Sequence, residues 1–255
     1  MRPFIPVVIV VTCLLAAAWP AQTPLAAEAL TPRQILNRVD DLFRGESSHG
    51  LMTMTIITVH WKRTLSLEFW SQGKDKSLVR ILAPEKEKGT ATLRVGNEIW
   101  NYLPKVNRTI KLPSSMMSAS WMGSHYTNDD LVKENRMADD FTFEITYQGQ
   151  REGRKVVEIT CYPKPEAAVV WGKVLVTVRS EDYLPLHVQY YDEDMALART
   201  MFFSEIGDLG GRNLPTKSTV QPADKPDEKT EVKYHEVRFN LDLPESTFSL
   251  RSLQR

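Results

Sequence analysis

The chain reads as a mainly β (α+β) protein, antiparallel, with one helix opening its domain, and three observations carry that expectation. Apolar side chains alternate with polar ones in many short runs. Brief polar turns separate neighbouring runs, and no strand-helix-strand alternation occurs that would build a parallel sheet.

At the start, Arg2 precedes an apolar run from Phe4 to Ala18 broken only by Pro6 and Thr12. This has the form of a secretory signal, too short and too early for a membrane span, with Ala27-Glu28-Ala29 as an A-x-A cleavage site. Cys13 follows Val10, Val11 and Thr12 rather than the small residues of a lipid-anchoring site, so it belongs to the signal. The expected division is a cleaved signal peptide over residues 1–29 and a single domain over 30–255, exported and without a membrane span.

The first element after the signal is a helix. Thr31 and Gln34 make a capping-box pair, Pro32 suits the first helical position, Ile35, Leu36, Val39, Leu42 and Phe43 share a face, and Gly45 fits the stop. The period then changes to two, in runs near 51–61, 64–71, 77–83, 90–95, 98–103 and 108–112. A second series follows at 141–147, 155–162, 169–179, 186–191, 197–206, 216–221 and 230–239, with 222–228 as a long hairpin connection. That makes about a dozen strands, antiparallel because their turns are short.

Between the two series lies LPSSMMSASWMGSHYTNDDL, residues 112–131. Met116, Met117, Trp121 and Met122 recur there at roughly helical spacing, which predicts a short helix of soft, polarizable side chains. Two readings are open, a plug over the core or an adaptable lid for a hydrophobic guest. Thr127 and Asp130 form a second capping-box pair, which predicts a helix from Asn128 to about Asn135 and explains Asp129 and Asp130 without acid-base chemistry.

Composition and motifs exclude several functions. Thirty-two basic and 32 acidic residues balance to zero net charge, so no basic field exists for nucleic acid. His49, His60, His125, His187 and His235 are scattered, with no metal-ligand spacing around them. Ser124-His125 lacks the surrounding elbow of a nucleophile, and neither a phosphate-binding loop nor a dinucleotide-binding turn is present. The chain therefore reads as a non-enzyme without a cofactor. Cys161, the one cysteine after the signal, reads as a buried structural thiol. Trp61, Trp70, Trp100, Trp121 and Trp171 suit either a packed core or the wall of an apolar cavity.

The signal, the opening helix, the antiparallel runs, MGSHYTNDDL (122–131), PKPEAAVVWGKV, YLPLHVQYYDED and a closing LPESTFSL together resemble the LolA-like outer-membrane lipoprotein-sorting superfamily, in its longer branch. His125 stands where that branch carries Asp. The resemblance implies a single half-open antiparallel β-barrel of roughly eleven strands with an apolar concave face and short lid helices. It implies a periplasmic carrier that binds lipid or the acyl chains of a lipoprotein and shuttles them toward the outer membrane, touching membranes transiently. An inner-membrane exporter of the resistance-nodulation-division type is the partner implied. The alternative is a periplasmic sensor or adaptor of the same fold that docks on such an exporter or on a regulatory protein. In the carrier reading Met116, Met117, Trp121 and Met122 form the lid, and Phe69, Trp100 and Tyr102 line the concave face.

Overall fold

The computed structural model describes residues 30–128, 130, 137–167 and 169–254. The leader, its cleavage motif and Cys13 lie outside the described residues, as do Asp129 and most of the helix expected to follow Asn128. Helix α1 (Pro32–Asp40) starts as its sequence requires. The Gln34 amide donates to Thr31 Oγ1 at 3.4 Å and the Thr31 amide to Gln34 Oε1 at 2.8 Å, a complete capping box. Turns then lead through Gly45, at a left-handed φ of 59°, into the first strand.

Among the described residues thirteen strands follow: β1 (Ser47–Ile57), β2 (Lys62–Gln72), β3 (Lys76–Ala83), β4 (Ala91–Val95), β5 (Glu98–Leu103), β6 (Arg108–Lys111), β7 (Phe141–Arg151), β8 (Arg154–Pro163), β9 (Lys173–Arg179), β10 (Pro185–Tyr191), β11 (Leu197–Leu209), β12 (Arg212–Pro222) and β13 (Lys229–Phe239). The count exceeds the roughly eleven that the resemblance implies; every short run read from the sequence, β4 and β6 included, completes a ladder with its neighbours. A second short helix, α2 (Met137–Asp140), precedes β7.

All thirteen strands form one antiparallel sheet, in the order β6-β5-β4-β3-β2-β1-β13-β12-β11-β10-β9-β8-β7. Two meanders, β1–β6 and β7–β13, join where β1 pairs with β13, with Met54 opposite Val232. This topology decides where the connection between them runs. Strands β6 and β7 are successive in the chain but stand at opposite edges of the sheet, so the connection between them runs from one edge to the other.

The sheet curls around that crossing. Val79 of β3 and Val188 of β10 wall the same cavity of about 210 Å³ although six strands apart in the ladder. A flat sheet would separate them by on the order of 29 Å, at roughly 4.8 Å per strand. One contiguous apolar cluster joins Ile35 and Leu36 of α1, Met54, Leu67 and Ile81 of the first meander, Ile159, Val176, Val188, Met201 and Val220 of the second, and Trp121 and Tyr126 of the crossing segment. The result is a half-open barrel with α1 and the crossing segment inside its curve.

At Gly50 the missing side chain lets strands and ring approach closely. A Cβ there would meet the Glu236 carbonyl at 2.3 Å and the Phe69 ring at 2.8 Å, so Phe69 lies across β1 only because residue 50 is glycine. On the convex face the closing segment packs Phe248 and Leu253 against Leu78, Ala91 and Leu93, and Arg80 anchors it by donating to the Ser252 carbonyl at 2.7 Å.

Candidate functional site

The cavity lies between the curled sheet, α1 and the crossing segment. Met52 and Met54 of β1, Phe69 of β2, Val79 of β3, Val188 and Tyr190 of β10, Met201 and Phe203 of β11 and Val232 and Tyr234 of β13 form its walls. Val39 and Phe43 close one side, with Phe43 stacked on Tyr234 at 4.5 Å between ring centroids. These residues follow from strand alternation, since positions two apart on each strand share the concave face. The lining is mostly apolar, with the buried Asp40 and Arg44 as its charged members. A cavity of about 210 Å³ exceeds the engineered apolar void of about 150 Å³ known to hold a benzene.

Trp121 and Tyr126 roof the cavity, each 8% exposed or less. Trp121 Nε1 donates to Thr92 Oγ1 of β4 at 3.1 Å, and the Tyr126 and Ser218 hydroxyls share a hydrogen bond of 3.2 Å across to β12. The single helix expected from the spacing of the methionines does not form. Tight turns at Ser114–Met116 and Trp121–Gly123 replace it, with Met122 left-handed at φ 52° and Ser120 bridged to Thr127. The physical reason is competition from side chains: Asn128 Nδ2 donates to the carbonyls of Met116 and Ala119 at 2.9 and 3.2 Å, occupying acceptors that a helix would use.

Polar contacts pin this segment to the barrel. Arg63 of β2 donates to the Met122 carbonyl, and the His125 amide donates to Thr230 Oγ1 of β13 at 3.1 Å. His125 Nε2 lies 3.3 Å from Glu228 Oε2. Thr127 and Asp130 make the expected capping box, with amide-to-side-chain bonds of 2.6 and 3.2 Å. Asp130 also accepts two hydrogen bonds from Arg199 of β11, at 2.7 and 2.5 Å, both side chains being buried. Arg199 further donates to the His125 carbonyl at 3.0 Å, and its guanidinium carbon lies 4.6 Å from the Trp171 ring and 4.4 Å from the Tyr190 ring. Burial opposes its charge, but the Asp130 carboxylate, through charge and hydrogen bonding, joins Tyr190 and Tyr126 in holding its pKa above the ordinary arginine value.

Comparison with known proteins agrees with this architecture. A model of a family described as "Uncharacterized protein" matches residues 73–255, well over half of the chain. The chain belongs to that family, and its fold is LolA-like. A DUF1329 family protein from Desulfovibrio piger superposes with a TM-score of 0.79 at 22% identity, covering 87% of this chain and 97% of that one. A Vibrio parahaemolyticus protein carrying the designation outer membrane lipoprotein-sorting protein domain gives 0.76 at 22%, over 88% and 98%. A LolA superfamily protein from Nitrosomonas europaea gives 0.74 at 22%, over 88% and 100%. No curated protein matches.

Within this LolA-like frame the residues expected at the site separate into three groups. Trp121 and Phe69 line the cavity, and Met122 packs beside the main cluster. Met117 is half-buried and Met116 is 44% exposed, and neither reaches the cavity. Trp100 and Tyr102, expected on the concave face, lie on the convex one, opposite Leu93 and Ala91 and packed with the closing segment. The pleat explains the difference: their neighbours Thr92 and Asn101, hydrogen-bonded at 2.6 Å, take the Trp121 side of the sheet.

Arg199 escaped the reading of the sequence, although a signal for it exists. It shares strand phase with Met201 and Phe203, so an arginine occupies a core-facing position of β11. A charge in apolar phase requires a buried partner.

Proposed function

We propose that this protein is a periplasmic carrier which holds lipid, or the acyl chain of a lipoprotein, in the half-barrel and takes it toward the outer membrane. The observation carrying the reading is an apolar cavity roofed by a separate crossing segment, which seats Trp121 and Tyr126 in the core and is pinned to the strands by polar contacts. An acyl chain of about fourteen methylenes costs on the order of 11 kcal/mol in water, at roughly 0.8 kcal/mol each, so a shuttle must offer a nearly membrane-like lining. In the closed form the cavity takes the first part of such a chain, and displacing the crossing segment lengthens it. Flexible Met52, Met54 and Met201 in the walls suit guests of varied shape.

Release needs the roof to open, and the Arg199–Asp130 pair adds little to the cost of doing so beyond that of unseating Trp121 and Tyr126. Its charges lose hydration on closing and regain it on opening, so Coulomb attraction and desolvation largely cancel. The designations of the Vibrio and Nitrosomonas proteins support the same reading.

A fluorescent fatty-acid probe titrated into delipidated protein tests it. Saturable binding is expected, weakened roughly tenfold or more by Met201→Trp or Val232→Phe, which fill the cavity. Absent binding, or affinity untouched in both folded variants, would remove the proposal.

A further inference from the structure

Neighbouring hairpins at one end of the β1–β6 meander carry apolar side chains into solvent. The β1–β2 turn presents Val59 and Trp61, 63% and 43% exposed, and the β5–β6 turn presents Val106 at 60%, beside Leu103. At the opposite end of the same strands the turns are Gly73-Lys74-Asp75 and Gly96-Asn97, with no large apolar residue. Solvated turns gain nothing by exposing valine and tryptophan, so the asymmetry between the two ends points to a partner.

Contacts unite these tips into one rim. Arg63 donates to Glu87 at 2.9 Å, tying the β1–β2 hairpin to the β3–β4 loop, and that loop approaches the β5–β6 turn so closely that a Cβ on Gly89 would sit 3.6 Å from Pro104 Cγ. Charge then selects the partner. Lys62, Lys86, Lys105 and Arg108 are exposed on the rim, and none forms an ion pair among the described residues. The meander's two acids at this end are engaged already, Glu87 by Arg63 and Glu85 by Lys88 at 3.4 Å; on the adjoining β12–β13 loop Glu228 accepts from the Val59 amide at 3.5 Å and lies 3.3 Å from His125, and the exposed Asp224 and Asp227 stand against the rim's four cations. In a chain of zero net charge this is a local cationic field around exposed apolar tips.

We infer that the rim docks on an anionic bilayer, with Val59, Trp61 and Val106 entering the interfacial layer and the four cations pairing with lipid headgroups. The inference rests on the carrier reading, which requires a meeting with a membrane, and adds the surface that makes it. Because Arg63 of this rim also donates to the Met122 carbonyl, docking brings the roof segment to the lipid surface.

Flotation of the protein with vesicles of phosphatidylcholine alone, or with about a third phosphatidylglycerol, is the test. Binding to the mixed vesicles only, reversed by salt, is expected. Trp61→Ser with Val106→Ser, and separately Lys105→Glu with Arg108→Glu, should each weaken it roughly tenfold without altering the melting temperature. Failure of the parent protein to float, equal binding to neutral vesicles, or unchanged binding by both variants would overturn the inference. The fatty-acid titration on the same variants separates the two ideas: lost flotation with intact probe binding supports the rim. Flotation that depends on the rim in a protein taking no probe would sink the carrier reading and leave the docking surface standing.

Discussion

The Arg199 guanidinium and the Asp130 carboxylate meet through paired hydrogen bonds, Nη1 to Oδ2 at 2.7 Å and Nη2 to Oδ1 at 2.5 Å, between Trp171 and Tyr190. They join β11 to a segment that topology obliges to cross the barrel. This contact thus ties the roof to the strand carrying Met201, alongside the bonds that Arg63, Thr92, Ser218 and Thr230 make to the same segment.

Removing one partner strands the other in a site with little water. Asp130→Ala or Arg199→Met should each cost about 3–5 kcal/mol of unfolding free energy, while the double replacement Asp130→Leu with Arg199→Met should cost clearly less. Arg199→Lys should behave like a loss, because a lysine cannot offer two parallel donors between two rings. Urea unfolding of the set measures all four, and equal, additive losses would contradict a coupled pair.

Trp121 tests the roof by size and by polarity. Trp121→Ala should cost about 3–5 kcal/mol through the void it leaves, and Trp121→Phe only about 1 kcal/mol, the value of a net hydrogen bond. Thr92→Val, which leaves the indole N–H without its acceptor, should cost about 1–3 kcal/mol. Thermal unfolding ranks them, and Phe as harmful as Ala would mean that packing is not what Trp121 supplies.

The strands were legible because a pleated, half-buried ladder forces a period of two, as Phe141, buried, and Phe143, half-buried, show against the exposed Thr142 and Glu144. The capping box of Thr31 and Gln34 was legible because its bonds are local. The roof was not. Met116 and Trp121 have helical spacing, but the distant Asn128, Arg63 and Thr230 decide their conformation. Trp100 and Tyr102 show the same limit on a strand: alternation tells which residues share a face, and only the closing segment with Phe248 and Leu253 tells which face that is.

Cys161 is fully buried, and burial, reinforced by the nearby Asp40 charge, pushes its thiol from 9.0 up to about 12. A raised folded value favours the folded state below the ordinary thiol range, and that advantage fades as pH rises from 9.0 toward 12. At neutral pH the thiol should stay unmodified by iodoacetamide until the protein unfolds. Labelling followed by mass spectrometry along a urea titration should track the unfolding curve, and labelling under native conditions would contradict the burial.

Glu228 makes the acid limb of stability depend on the roof. Its carboxyl sits below the usual carboxylate value of 4.5, chiefly through the hydrogen bond with His125, with the Val59 amide and Lys225 adding to this against desolvation. For a depressed carboxyl, the stabilisation is fully present above the ordinary value and is lost as pH falls through the folded one. Glu228→Gln should therefore flatten the fall in melting temperature below pH 4.5. His125→Ala should do the same by a different route, because it removes the main cause of the depression. Thermal melts of the three proteins between about pH 7 and about pH 3 measure this. Parallel acid limbs would mean that the His125–Glu228 contact does not couple the crossing segment to the start of β13.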